Sequence, residues 1–291
     1  MTRVFSANPT LSAAGAPRFF DPRAPRRGPQ LVHLPTWSQL SIATRQRGPV
    51  GHGGGDFFEI IQHREGHVST LLADVCGNGP SAAVPVSRLR WLVRQHLACG
   101  ETPGAVLKLL NESIVAGNEP DLFVTAVCVQ VDPQTGVVTA ASAGHLGPFI
   151  KRADGDAHEL LMDEGAALGI MPAQSYAETR LDLEPEDALV LVTDGITDPL
   201  GTASSPLGQA GLLAELALAR PSAESICAAL LNVAQPSSDR RLKAFQTSRD
   251  RDGVGRVRRE LPHAAEHDAT VVVLKLPRRH RRITPVRRAT R

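Results

Sequence analysis

Apolar positions recur along this chain in short runs cut by turn residues, and in two places the period lengthens to that of a helix. Alternating or continuous apolar stretches of strand length fall at 39–44, 57–61, 68–75, 123–131, 137–142, 148–151, 159–162, 177–183, 188–193 and 269–276. The turn 132–136, Asp-Pro-Gln-Thr-Gly, joins two of them as a hairpin. Helical spacing covers 80–97 and 102–116, then 208–219 and 222–234, with Pro221 dividing the last two. Thr102 takes the cap position and Pro103 the first helical position, where its missing N–H is harmless. Strands joined by short turns, with helices gathered in two groups, predict an α+β fold: a largely antiparallel sheet system covered by helices.

The flanks differ from this body. Residues 1–34 are basic, rich in Pro, Ala, Arg and Ser, without a period, and are expected to be disordered. An ordered domain is expected over 35–276, interrupted by an Arg-rich, aperiodic insertion at 236–262. A basic disordered tail is expected at 277–291. Residues 31–238 hold 11 Lys+Arg against 23 Asp+Glu, whereas the last fifteen residues hold seven arginines and no acid. An acidic body argues against a nucleic-acid-binding domain and suits a body that holds cations. No apolar run is long enough to span a membrane, and no secretory signal opens the chain, so a cytoplasmic protein without membrane contact is expected. The four cysteines, Cys76, Cys99, Cys128 and Cys227, lie far apart with no CxxC pair. They read as free thiols in a reducing compartment.

Candidate chemistry lies in acids at strand ends. Asp56 stands in Gly54-Gly55-Asp56-Phe57, Asp74 in Ala73-Asp74-Val75-Cys76-Gly77, and Asp194 in Val192-Thr193-Asp194-Gly195. Asp268 precedes the closing strand in His267-Asp268-Ala269-Thr270. Each acid taken alone is a weak signal, since an Asp-Gly at the end of an apolar strand is ordinarily a turn. Together they meet the need of a hard cation, Mg²⁺ or Mn²⁺, for several carboxylates from separate strands. Neighbouring glycines let main-chain carbonyls and waters approach. No GxSxG elbow, HExxH or GxxxxGK[ST] loop occurs, and Gly77, Gly79 and Ala82 lack the downstream acid of a dinucleotide site. Carboxylates near Cys76 disfavour a thiolate nucleophile.

The order of these motifs resembles the metal-dependent protein phosphatases of type 2C. The segments are 54–59, 73–79, 122–125, Ser142-Ala143-Gly144-His145, 165–171, 189–198 and 267–273. The likeness is nearest to the bacterial branch typified by stage II sporulation protein E and the phosphatases that regulate stress sigma factors, and it spans 35–276. It implies two antiparallel β-sheets sandwiched between helices and a centre of two Mn²⁺ or Mg²⁺ ions. By position, Asp74 would touch both ions, the Val75 carbonyl would be a main-chain ligand, and Asp56 and Asp194 would add carboxylates. The reaction implied is hydrolysis of phosphoserine or phosphothreonine by a metal-activated water. The substrate implied is a signalling phosphoprotein of the anti-anti-sigma kind. Before the closing strand the family carries two acids, the first a ligand. Here the pair is His267-Asp268, so either residue fills that place or the ion is weakly held. The same residues admit a phosphatase-like binding module with crippled catalysis, or another Asp-rich hydrolase acting on nucleotides. His145 is expected to anchor a turn rather than to act as a general acid.

Overall fold

The computed structural model describes residues 3–6, 40–47, 55–63, 66–76, 83–117, 122–197, 208–233 and 268–278. The expected insertion at 236–262 lies outside these residues, as do 7–39 and 279–291.

The strands are β1 (Arg3–Ser6), β2 (Ser41–Arg47), β3 (Phe57–Gln62), β4 (Val68–Cys76), β5 (Phe123–Val131), β6 (Val137–Ala143), β7 (Phe149–Lys151), β8 (Ala157–Glu159), β9 (Glu164–Gly165), β10 (Thr179–Asp182), β11 (Ala188–Val192) and β12 (Ala269–Lys275). The helices are α1 (Ala83–Cys99), α2 (Pro103–Ala116), α3 (Asp194–Thr197), α4 (Gly208–Leu218) and α5 (Ala223–Val233). One sheet runs β1-β3-β4-β5-β6-β10, with β9 added to β6, and the other runs β2-β12-β11-β7-β8. Every pairing is antiparallel except the short β6–β9 contact.

Alternation along the strands sorts side chains into three cores and so dictates the layers. Phe58, Ile60, Leu72, Val127 and Val129 of the first sheet meet Leu189, Leu191, Val272 and Leu274 of the second. Their neighbours Phe57, Ile61, Leu71 and Val75 point the other way, against Leu89, Val93 and Leu97 of α1 and Val106, Leu107 and Leu110 of α2. Val190, Val192, Val271 and Val273 pack on Leu212, Leu216, Ile226 and Leu230 of α4 and α5. The result is the two-sheet sandwich between helical layers that the motif order implies.

Several expectations change. Residues 1–34 are not wholly without structure: Arg3–Ser6 pairs with β3 from Arg3↔Gln62 to Ser6↔Glu59. Four residues are too few to show a period, and the pairing uses backbone groups at a free sheet edge. β8 falls at Ala157–Glu159 rather than 159–162, because the hairpin from β7 closes through Arg152 N–H donating to Asp156 C=O (2.8 Å). β2 extends to Arg47, carried by seven register pairs with β12 rather than by apolar side chains. Asp194-Gly195 opens a short helix instead of a turn. Thr102 occupies the cap position, yet its side chain makes no cap bond. The Gly104 N–H donates instead to Glu178 Oε1 (2.9 Å), a carboxylate brought from far along the chain.

Glu59 breaks the apolar pattern of β3. It is fully buried on the helix-facing side and accepts from Arg90 Nε, Arg94 Nε and Arg94 Nη2, each at 3.0 Å. Arg90 also lies 5.6 Å from the centre of the Phe57 ring. The forked Arg94 contact fixes the height of α1 on the sheet. Glu59→Ala would leave two guanidinium groups at a buried contact without their carboxylate. The expected loss is about 3 kcal/mol or more, measured as a lower urea midpoint at unchanged slope.

Candidate metal centre

Antiparallel pairing explains how acids far apart in sequence become neighbours. β3 begins where β4 ends, so Phe57 lies opposite Ala73 and Asp56 comes beside Asp74. β12 begins where β11 ends, with Val192 opposite Val271, so Asp194 comes beside Asp268. Asp56 and Asp74 share the parity of the residues that face the second sheet, as Thr193 and Thr270 share the parity of those that face the first. Both pairs therefore stand at one mouth of the space between the sheets.

Hydrogen bonds across that mouth tie the pairs together. Asp56 Oδ2 accepts from Thr193 Oγ1 (2.6 Å) and Thr270 Oγ1 (2.7 Å). Thr193 Oγ1 in turn accepts from the Thr270 N–H (2.9 Å). The Asp56 N–H donates to Asp268 Oδ2 (3.3 Å), and Gln46 Nε2 of β2 donates to the Asp56 carbonyl (2.9 Å). Asp56 thus belongs covalently to one sheet and by four hydrogen bonds to the other. Asp56 and Asp268 are buried, Asp74 is half-buried and Asp194 is exposed.

The electrostatics carry the same message. Burial pushes the Asp56 carboxyl well above its ordinary range; the two threonine hydroxyls pull it back, and the charges of Asp74 and Asp268 push it further up. The Cys76 thiol is raised to about 11, chiefly by burial and then by Asp74 and Asp194. It is therefore a neutral thiol at physiological pH and no nucleophile.

Two glycines make the geometry possible. A Cβ on Gly55 would stand 2.5 Å from the Val75 carbonyl oxygen and 2.9 Å from Asp74 Oδ1. The space kept clear is thus bounded by two hard oxygen donors. A Cβ on Gly195 would lie 1.7 Å from the Asp268 carbonyl oxygen, so only glycine lets α3 pass the start of β12. Carboxylates and a carbonyl suit Mg²⁺ or Mn²⁺. Among the described residues no three His, Cys, Asp or Glu side chains close on one point. One or two carboxylates with waters are the usual protein share at a Mg²⁺ ion.

The structure brings Asp56, Asp74, Val75, Asp194 and Asp268 to this mouth. His267 lies outside the described residues. Sequence reasoning missed Thr193, Thr270 and Gln46. Their signal was present: Thr193 directly precedes Asp194, and Thr270 lies two residues after Asp268, on the same strand face.

His145 sits behind the centre. Its Nε2 lies 3.2 Å from the Val192 carbonyl, which can only accept, so Nε2 carries the proton and Nδ1 accepts from Thr125 Oγ1 (2.8 Å). Thr125 is the cross-strand partner of Asp74. The ring is buried, both nitrogens are engaged, and burial holds its pKa down at about 4. These bonds make it the turn anchor expected from the sequence. Its contribution to stability is full above about pH 6.5 and is lost as pH falls toward 4, because the unfolded chain takes up the proton first; the loss is about 3 kcal/mol. Asp56, shifted upward, acts in the opposite sense as pH falls. A His145→Gln comparison in urea at pH 7 and 4.5 isolates the histidine part, and NMR should show the ring neutral down to about pH 4.

Comparisons with known proteins agree with this architecture. The family model described as stage II sporulation protein E (SpoIIE) matches residues 64–243. Phosphoserine phosphatase RsbU of Bacillus subtilis is 28% identical over 150 residues, covering 52% of this chain and 44% of RsbU, so the chain spans less than half of that relative. The RsbU and RsbW domains of Rv1364c from Mycobacterium tuberculosis share the fold at a TM-score of 0.64 and 20% identity, over 83% of this chain and 61% of that one. The catalytic domain of the serine/threonine phosphatase PstP, crystallised with two manganese ions, superposes at 0.53 with 18% identity, over 82% of this chain and 99% of that one. With that match over more than half of its residues, this chain belongs to the SpoIIE family.

Proposed function

We propose that the chain is a metal-dependent protein serine/threonine phosphatase that removes phosphate from a signalling protein of the anti-anti-sigma kind. The observation that carries the reading is the placing of four aspartates, at strand ends of two sheets, around one mouth. Burial first, and then the charges of Asp74 and Asp268, raise the Asp56 carboxyl; a cation bound nearby would favour its charged form. Membership of the SpoIIE family, the activity in RsbU's name and the manganese ions in PstP support the same reading.

Asp74, the Val75 carbonyl, Asp194 and Asp268 would hold two Mn²⁺ or Mg²⁺ ions. Oδ1 of Asp56, whose Oδ2 is engaged by threonines, would face an ion or its waters. Bound there, the ions supply an activated water and positive charge for the phosphoryl oxygens. The chain's own work is to hold these oxygens in place: Thr193 and Thr270 orient Asp56, the Asp56 N–H orients Asp268, and Gly55 keeps bulk away from Asp74. Neutral His145 braces Thr125 and gives no proton to the leaving alkoxide. Four free cysteines and the absence, among described residues, of any helix able to cross a membrane support a cytoplasmic setting.

Purified chain supplied with Mn²⁺ should hydrolyse a phosphoserine peptide. Asp74→Asn and Asp194→Asn should each lower kcat by about a thousandfold or more, several kcal/mol of lost transition-state stabilisation. Undiminished turnover in EDTA overturns the proposal. The presence of His267 where the family has an acid favours a second reading, a weakened site that captures its partner without turning it over. A large rise in turnover on His267→Asp would support that second reading, and no rise would support a working native site.

A further inference from the structure

The turn Ser142-Ala143-Gly144-His145 delivers one imidazole to residues of both sheets, and its parts are fixed from within. Ser142 Oγ donates to the His145 carbonyl (2.9 Å) and accepts from the His145 N–H (3.2 Å), which closes the turn on itself. Gly144 stands at φ +63°, where a Cβ would lie 3.1 Å from the Ala167 N, so the backbone reverses there without a side chain. The ring then joins the sheets. Nδ1 accepts from Thr125 Oγ1 (2.8 Å), and Thr125 stands directly opposite Asp74 on the neighbouring strand, so the two side chains share a face. Nε2 donates to the Val192 carbonyl (3.2 Å) at the end of β11. The register of β7 on β11 stops at Val190↔Phe149, and the imidazole takes up the carbonyl two residues beyond it. The other side of the same peptide unit is held as well, because the Thr193 N–H donates to the Thr270 carbonyl (3.1 Å). A planar peptide gripped at both its oxygen and its nitrogen has one orientation left. Thr193 and then Asp194 follow directly from it.

We propose that His145 is a positioning residue of the metal centre: with Thr125 it fixes the direction in which the chain leaves β11, and so where Asp194 stands relative to Asp74. This deepens the metal-dependent phosphatase reading and rests on it. The bonds to Asp56 set the height of β11 and β12 against β3 through threonine side chains. The imidazole acts on something else, the main chain at the point where the ladder ends and α3 begins. Carboxylates carried on two sheets serve common cations only when their placing is held to a fraction of an ångström. Apolar packing has too little direction to do that. A buried ring engaged at both nitrogens is a spacer of fixed length between the strand opposite Asp74 and the peptide that leads to Asp194.

The test uses the full chain, with Mn²⁺ binding followed by calorimetry in the absence of substrate and turnover measured on a phosphoserine peptide. Thr125→Val keeps a branched strand residue and removes the hydroxyl. It should weaken Mn²⁺ binding about tenfold or more and lower kcat by a similar factor, with the peptide KM within about threefold of wild type. Thr125→Ser, which keeps the hydroxyl, should restore both. His145→Phe should match Thr125→Val, and the double variant should be no worse than either, since the two residues act as one unit. A lower urea midpoint with Mn²⁺ affinity and kcat unchanged would make the contact a matter of stability alone and overturn the proposal. Thr125→Ser behaving as Thr125→Val, or losses that add in the double variant, would overturn it too. If His145→Phe does not fold, the valine and serine variants decide. If wild type itself binds no Mn²⁺, the metal-dependent reading falls and takes this proposal with it.

Discussion

A single carboxylate holds this architecture in register. Asp56 begins a strand of the first sheet, yet its N–H, its carbonyl and its Oδ2 are all satisfied by residues of the second. Apolar packing between sheets is indifferent to small slides, since it scales with area and has little direction. Short hydrogen bonds from two threonines to one oxygen are not. They require β11 and β12 to present Thr193 and Thr270 at one height relative to β3. Once that height is set, Asp74, Asp194 and Asp268 follow by strand pairing alone.

The same carboxylate is buried. A buried carboxyl beside two other acids is pushed toward its neutral form, and the two threonine hydroxyls pull it back. The Glu59 contact shows the alternative on the opposite face of the same strand, where an equally buried acid is satisfied by two arginines of α1. β3 thus carries one acid paired with two arginines, and the residue just before it is an acid held across the sheets by two threonine hydroxyls.

Much of this was legible in the sequence. Strand and helix groups, the acids at strand ends and the cap position at Thr102 all follow from local pattern, because period and turn chemistry are properties of neighbouring residues. What stayed hidden depends on partners far along the chain. Glu178 caps α2 from 74 residues away, Asn111 clamps a segment 58 and 60 residues away, and Thr193 bonds Asp56 across 137 positions. Arg3–Ser6 pairs with the edge of β3, and four residues are too few to leave a period in the sequence. Asp194 reads as a turn residue because a four-residue helix has too few positions to show a stripe.

The close passage at Gly195 bears on how members of such a family diverge. Asp268 is located by the ladder between β11 and β12, and by the absence of a side chain where α3 passes it. Its position owes nothing to how many residues connect α5 to β12. A change in the residues that connect α5 to β12 leaves both of those constraints standing.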